Sequence, residues 1–104
     1  MAKLIVVWWR DIPSQVIVEK GRGRKREQAK VELPKRFIAS IDSAAMKAGA
    51  DQTDDYLADW WRSDPVEVSD DDLQATADAK AAELDAAYPT MRLRELVENE
   101  GRAG

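Results

Sequence analysis

Leu4-Ile5-Val6-Val7-Trp8-Trp9-Arg10-Asp11-Ile12-Pro13 is the stretch that decides the architecture. Its apolar run is too short to span a bilayer. It is also short for a signal-peptide core, with no small-residue cleavage site behind it. β-Branched and aromatic residues in so short a run predict a buried strand. Leu4, Val6 and Trp8 point to one side of that strand, and Ile5, Val7 and Trp9 to the other. Both faces are apolar, so the strand is expected to be covered twice. Pro13 fixes its own φ and disfavours helix at Ile12, which makes the chain turn through Asp11-Ile12-Pro13-Ser14. The result is a hairpin of Lys3–Arg10 and Gln15–Lys20 in a soluble protein, with a cytoplasmic location expected.

Downstream, Ala29-Lys30-Val31-Glu32-Leu33 alternates with period two and is compatible with a third strand. Pro34 then suits the first turn of a helix in which Phe37, Ile41, Ala44, Ala45 and Ala48 recur at helical spacing, stopped by Gly49. Thr53 is the expected cap of a second helix, with Asp54 and Asp55 at its positive end and Tyr56/Trp60 and Leu57/Trp61 paired at i,i+4. Pro65 opens a short edge strand with Val66 and Val68 inward. Ser69 before Asp70-Asp71-Asp72 is the expected cap of an alanine-rich helix reaching about Tyr88, and Pro89 separates a last helix carrying Leu93, Leu96 and Val97. The expected fold is therefore α+β: a small antiparallel sheet, made of the N-terminal hairpin and one or two short strands, packed with about four helices. Residues 1–98 form one domain and 99–104 a frayed tail.

The 104 residues include no Cys and no His. That excludes disulfides, thiolate nucleophiles, Ser-His-Asp and Cys-His constellations and a conventional zinc site. Asp70-Asp71-Asp72 lacks the spaced pattern of a calcium loop and reads as helix-end chemistry. Gly21-Arg22-Gly23 lacks the third glycine of a dinucleotide fingerprint. No catalytic residues, metal or cofactor are expected.

Charge is distributed unevenly: residues 1–50 carry 11 basic and 5 acidic side chains, residues 51–104 carry 5 and 15, and the net charge is −4. The positive part lies between Lys20 and Arg36. It reads either as a solvated loop facing the acidic half or as a patch for an acidic partner, nucleic acid included. In the second case Arg22, Arg24, Lys25, Arg26 and Lys30 are the contact residues. The four tryptophans, Trp8-Trp9 and Trp60-Trp61, read either as core or as part of a docking surface. A docking patch would comprise Trp9, Arg10, Ile12 and Pro13 at the hairpin tip.

Two resemblances follow from these residues. Ala29–Pro34, Phe37, Ile41, Ala45, Gly49, Thr53 and Tyr56-Leu57 look like the strand–helix–helix pattern of ribbon-helix-helix DNA-binding proteins. That likeness implies Lys30 and Glu32 in a major groove and a phosphate at Thr53, although Asp51, Asp54 and Asp55 would repel it, as would a chain of pI ≈ 4.8. Over most of the chain, Trp8-Trp9-Arg10-Asp11-Ile12-Pro13-Ser14-Gln15-Val16, Leu33-Pro34, Phe37, Ile41-Asp42, Ala44-Ala45-Met46 and Asp64-Pro65-Val66-Glu67-Val68 resemble the bacterial virulence factor domain family. A similar domain is joined to scaffold-type segments in conserved virulence factor C proteins. The resemblance implies no toxin chemistry and no catalytic residues. Stand-alone members tend to be encoded near one-carbon and corrinoid methyl-transfer enzymes, which implies an accessory role. The expected function is thus a non-catalytic protein-interaction or accessory domain, binding a protein partner or itself and no membrane. A nucleic-acid-binding module is the alternative, and an unrecognised enzyme the third reading.

Overall fold

The computed structural model describes every residue except Arg22, Asp51 and Gly104, and every described side chain except that of Thr53. Five strands form one antiparallel sheet: β1 (Ala2–Trp9), β2 (Ile12–Lys20), β3 (Glu27–Glu32), β4 (Trp60–Arg62) and β5 (Val66–Val68). Four α-helices accompany it among the described residues: α1 (Lys35–Lys47), α2 (Thr53–Ala58), α3 (Leu73–Ala87) and α4 (Thr90–Glu98). The α+β class, the N-terminal hairpin and the four helices are those expected from the residue pattern.

β1 is central. β2 lies on one side of it and β3 lies beyond β2, while β4 and β5 share the other side. β4 pairs with Val7–Trp9 and β5 with Ala2–Leu4, so the two short strands act as one interrupted strand. The interruption falls at Ser63–Pro65, and the Ser63 side chain repairs it. Its hydroxyl accepts from the Val6 amide at 2.9 Å, while its own amide donates to the Val6 carbonyl at 2.9 Å.

Two expectations are corrected in the sheet. The hairpin turn is Arg10-Asp11 alone, and Ile12, Pro13 and Ser14 already belong to β2. The register passes from Val7–Gln15 to Trp8–Pro13, leaving Ser14 as the extra residue of a bulge. Pro13, with no amide hydrogen to give, lies beside this bulge and beyond the last β2–β3 pair at Gln15. The second correction concerns Trp60-Trp61, expected on a helix. α2 ends at Ala58, and both tryptophans lie in β4, where Trp9 pairs with Trp60 and Trp8 with Trp61.

Helix ends also differ from expectation in detail. Asp72, not Ser69, caps α3, its Oδ1 accepting from the Ala75 amide at 3.0 Å. Ser69 Oγ instead accepts from the Asp71 amide at 3.3 Å. Gln52 holds the cap position of α2, and the expected role of the Thr53 side chain lies outside what is described. α1 begins after Pro34 and ends before Gly49, as the sequence pattern predicts, with φ of 72° at that glycine.

One contiguous core joins Leu4, Val6, Val16 and Val18 to Phe37 and Ile41 of α1, Ala77 and Leu84 of α3, and Leu93 and Leu96 of α4. Burying a large aliphatic or aromatic side chain of this kind contributes about 1.5–3 kcal/mol. On the other face Ile5, Val7 and Ile17 form a second, smaller cluster against Trp60. No more than 9% of any of these three is exposed. By register their neighbours on that face are Lys3, Gln15, Glu19, Lys30 and Arg62, whose long stems cover apolar surface while their heads stay wet. The two-sided covering predicted for β1 is thus achieved with α1, α3 and α4 on one face and, on the other, mainly long polar side chains together with Tyr56 of α2 against Trp9 and Trp60.

Candidate functional site

Pairing of the two double-tryptophan segments across β1 and β4 places one indole pair on each face of the sheet. All seven aromatic residues of the chain fall into two rows built on these pairs. In the first, Trp61 stacks on Trp8 with centroids 5.6 Å apart, Trp8 meets Tyr88 edge-on at 6.2 Å, and Tyr88 meets Phe37 edge-on at 6.3 Å. In the second, Tyr56 lies between Trp9, at 6.1 Å, and Trp60, at 5.8 Å. Arginines lie over three of the rings: Arg10 over Trp9, Arg36 over Phe37 and Arg92 over Tyr88. Arg36 also donates to the Asp85 and Tyr88 carbonyls at the C-terminal end of α3 and pairs with the Asp85 carboxylate, a favourable place for a cation.

The hairpin tip is a closed knot. Arg10 has a φ of 51°, a left-handed conformation that costs a non-glycine residue about 1–2 kcal/mol. Its Nε donates to Asp59 at 3.0 Å and its Nη1 to the Glu100 carbonyl at 2.7 Å, while its own carbonyl accepts from Trp61 Nε1 at 2.7 Å. The Asp11 amide donates to the Gly101 carbonyl at 2.8 Å, and the Asp11 carboxylate accepts from the Ala103 amide at 2.6 Å. Residues 99–103, expected to fray, are therefore tied to the tip. Gly101 lies so close that a Cβ there would stand 2.7 Å from Trp9 Cζ3.

This knot removes the expected docking patch. Trp9, Ile12 and Pro13 are fully buried, with the Trp9 indole nitrogen donating to the Tyr56 carbonyl, and only 11% of the Arg10 side chain is exposed. The hairpin tip is interior because α2 and the C-terminal segment cover it.

Exposed apolar surface lies elsewhere. α3 packs mainly on β2 and β3, and its many alanines reach only a short distance from the helix axis. Between α3 and the β1–β5 side of the sheet a groove of about 500 Å³ stays open. Leu4, Val6, Trp8, Val66, Val68 and Leu84 give it an apolar lining, and Ser63, Thr76, Lys80 and Glu83 supply its polar groups. Lys80 and Glu83 pair with each other at 3.1 Å. Val66 is 57% exposed, and Trp61, stacked on the groove residue Trp8, is 46% exposed. The Trp8 indole nitrogen is buried and has no hydrogen-bond partner among the described residues. A space of this size and lining suits apolar side chains or a drug-sized ligand. Neither Val66 nor the groove was singled out as a site from the sequence, although the alanine content of α3 signals a thin helix.

The basic residues are not part of this groove. Arg24 and Lys25 are exposed in a 3₁₀ turn, Gly23–Lys25, Arg26 pairs with Glu19 at 2.7 Å, and Lys30 is exposed on β3. Arg22 lies outside the described residues. The strand–helix–helix order of the ribbon-helix-helix likeness is present, but β3 is hydrogen-bonded into this chain's own sheet and α2 has six residues. Among the described residues no group of three or more Asp or Glu is placed to hold a metal ion, and no helix is long and apolar enough to cross a membrane.

The family model described as "Virulence factor" matches residues 7–97, from the middle of β1 almost to the end of α4. The chain belongs to the virulence factor family. The matched span includes the hairpin tip, all four tryptophans and the whole of α3, so the two aromatic rows and most of the groove lie within the family's domain. Comparison with curated proteins finds no match, and comparison with solved structures finds none either.

Proposed function

We propose that this member of the virulence factor family is a protein-interaction domain without catalytic machinery, and that its contact surface is the groove beside α3 together with Trp61. The observation that carries this reading is the exposure of Trp61 and Val66 beside an open apolar groove, while the other apolar residues of the sheet are covered. Exposed aromatic and aliphatic groups around a preformed concavity are the usual anchors of an interface. An accessory role beside one-carbon and corrinoid methyl-transfer enzymes, implied by the family resemblance, gives the first partners to try.

The test is a native pull-down with the wild-type chain and with Val66→Asp and Trp61→Ala, each checked for folding by circular dichroism. Loss of one specific partner with both folded variants supports the reading. Undiminished capture by both refutes it, as does a captured partner that turns out to be nucleic acid, released by salt and lost on replacing Arg24, Lys25 and Arg26 with Ala.

A further inference from the structure

We propose that β3 pairs with the β3 of a second copy of this chain, joining two five-stranded sheets edge to edge in a two-fold dimer. β3 is an edge strand, bonded to β2 alone. Which of its backbone groups face outward follows from the ladder. Val6 spends its amide and carbonyl on Ser63, so Ile5 and Val7 make the bonds to Ile17 and Gln15 of β2. Val16 and Val18 therefore turn to Val31 and Ala29 of β3, in the same phase as the 3.0 Å bond from the Leu33 amide to the Ser14 carbonyl. Gln28, Lys30 and Glu32 are left with amide and carbonyl directed out of the sheet, and among the described residues nothing bonds to these groups. All three residues are exposed. This edge lies across the sheet from the groove, so the contact is independent of the interaction reading above.

Charge selects both the occupant and the register. Antiparallel pairing sets outward residue against outward residue, which centres a two-fold contact on a residue and not between two. Centred on Gln28, the contact would oppose Arg26 to the partner's Lys30; centred on Lys30, it would oppose that lysine to its own copy. Directly opposed like charges destabilise a strand pair. Centred on Val31, it would overlap residues 30–32 alone. Centred on Ala29, it sets Lys30 against the partner's Gln28 and Arg26 against the partner's Glu32, each contact repeated by symmetry. Ala29 then meets its own copy at the closest approach of the two strands, where a methyl group leaves room. Neither Lys30 nor Glu32 has an ion-pair partner among the described residues. Arg26 already holds Glu19 at 2.7 Å, and a guanidinium has donors for a second carboxylate. Charges on an edge strand ordinarily discourage pairing. On β3 their order leaves this register open, and the register is self-complementary.

The test is sedimentation equilibrium of the full chain at concentrations up to about 1 mM, which populates even a weak dimer. A monomer–dimer equilibrium is expected, with amide hydrogen exchange at Gln28, Lys30 and Glu32 slowing as concentration rises. Lys30→Pro removes an outward donor and leaves the bonds to β2 in place, so the folded variant should be monomeric. Glu32→Arg, which opposes a like charge to Arg26, should weaken the dimer about tenfold or more. A chain that stays monomeric throughout overturns the proposal. So does a dimer that folded Lys30→Pro leaves intact, or one that Val66→Asp dissociates. Where Lys30→Pro fails to fold, exchange at Gln28 and Lys30 in the wild-type chain decides: rates independent of concentration overturn the proposal. Each of these outcomes leaves the groove reading to its own pull-down.

Discussion

Ser63 and Val6 form a complete two-bond strand pair in which a hydroxyl replaces a carbonyl, each bond 2.9 Å long. The chain is bent out of register here by Pro65, so the usual backbone acceptor is withdrawn and the side chain stands in for it.

Ser63→Ala leaves the Val6 amide without an acceptor in a half-buried place. The expected loss is about 1–3 kcal/mol, read as a lower denaturant midpoint. Ser63→Thr, which keeps the hydroxyl, should retain most of the stability. An alanine variant as stable as wild type would show that this bond contributes nothing.

Gly101→Ala combines a φ of 87° with a Cβ placed 2.7 Å from the Trp9 ring. Left-handed strain and overpacking add here, so the expected cost is about 2–4 kcal/mol. Trp9 fluorescence and near-ultraviolet dichroism should change with it. Gly49→Ala is the control: φ is 72° and space is open, so strain alone operates, at about 1–2 kcal/mol.

Arg10 holds Asp59 with one nitrogen and the Glu100 carbonyl with another, and Lys cannot reproduce both. Arg10→Lys should therefore lose nearly as much stability as Arg10→Ala, about 1.5–3 kcal/mol. Amide hydrogen exchange at Ala103 and Gly101 should accelerate in both. Full rescue by Lys would mean that charge alone matters.

Tyr56 has its pKa raised above the ordinary value near 10, first by burial, then by the charge of Asp42 and a hydrogen bond to it. A raised folded value means that the folded state holds the proton more tightly than the unfolded chain. The associated stability is fully present below pH 10 and is lost as pH rises through the folded value. Alkaline denaturation should begin at higher pH in Tyr56→Phe. Asp42→Asn should lower the phenol's midpoint in an ultraviolet titration, and an unchanged midpoint would show that burial alone sets it.

What the sequence could reveal here is what short-range patterns encode. Leu4–Trp9 reads as a strand because its composition and length permit little else, and α1 reads from Pro34 to Gly49 because both boundaries are marked. Trp60-Trp61 misleads because Tyr56/Trp60 and Leu57/Trp61 match helical spacing as well as strand pairing. Tyr56 does meet Trp60, but across the corner from α2 to β4. A second double tryptophan was the available clue, since aromatic pairs favour cross-strand positions. The hairpin tip misleads for a different reason. What buries Trp9 includes Gly101, about ninety residues away, and no local pattern carries that contact. The groove is likewise tertiary: alanines make α3 thin, but its placement over β2 and β3 decides which side is left open.

The knot between residues 10–11 and 100–103 also bears on synthesis. β1 and β2 leave the ribosome well before residues 100–103, yet part of what covers Trp9 and holds Arg10, namely Gly101 and the Glu100 carbonyl, belongs to that late segment. The hairpin must therefore wait, unsealed, until nearly the whole span has been translated, and such sequence-distant closure slows folding. During that interval Trp9 lacks part of the covering that the finished fold gives it.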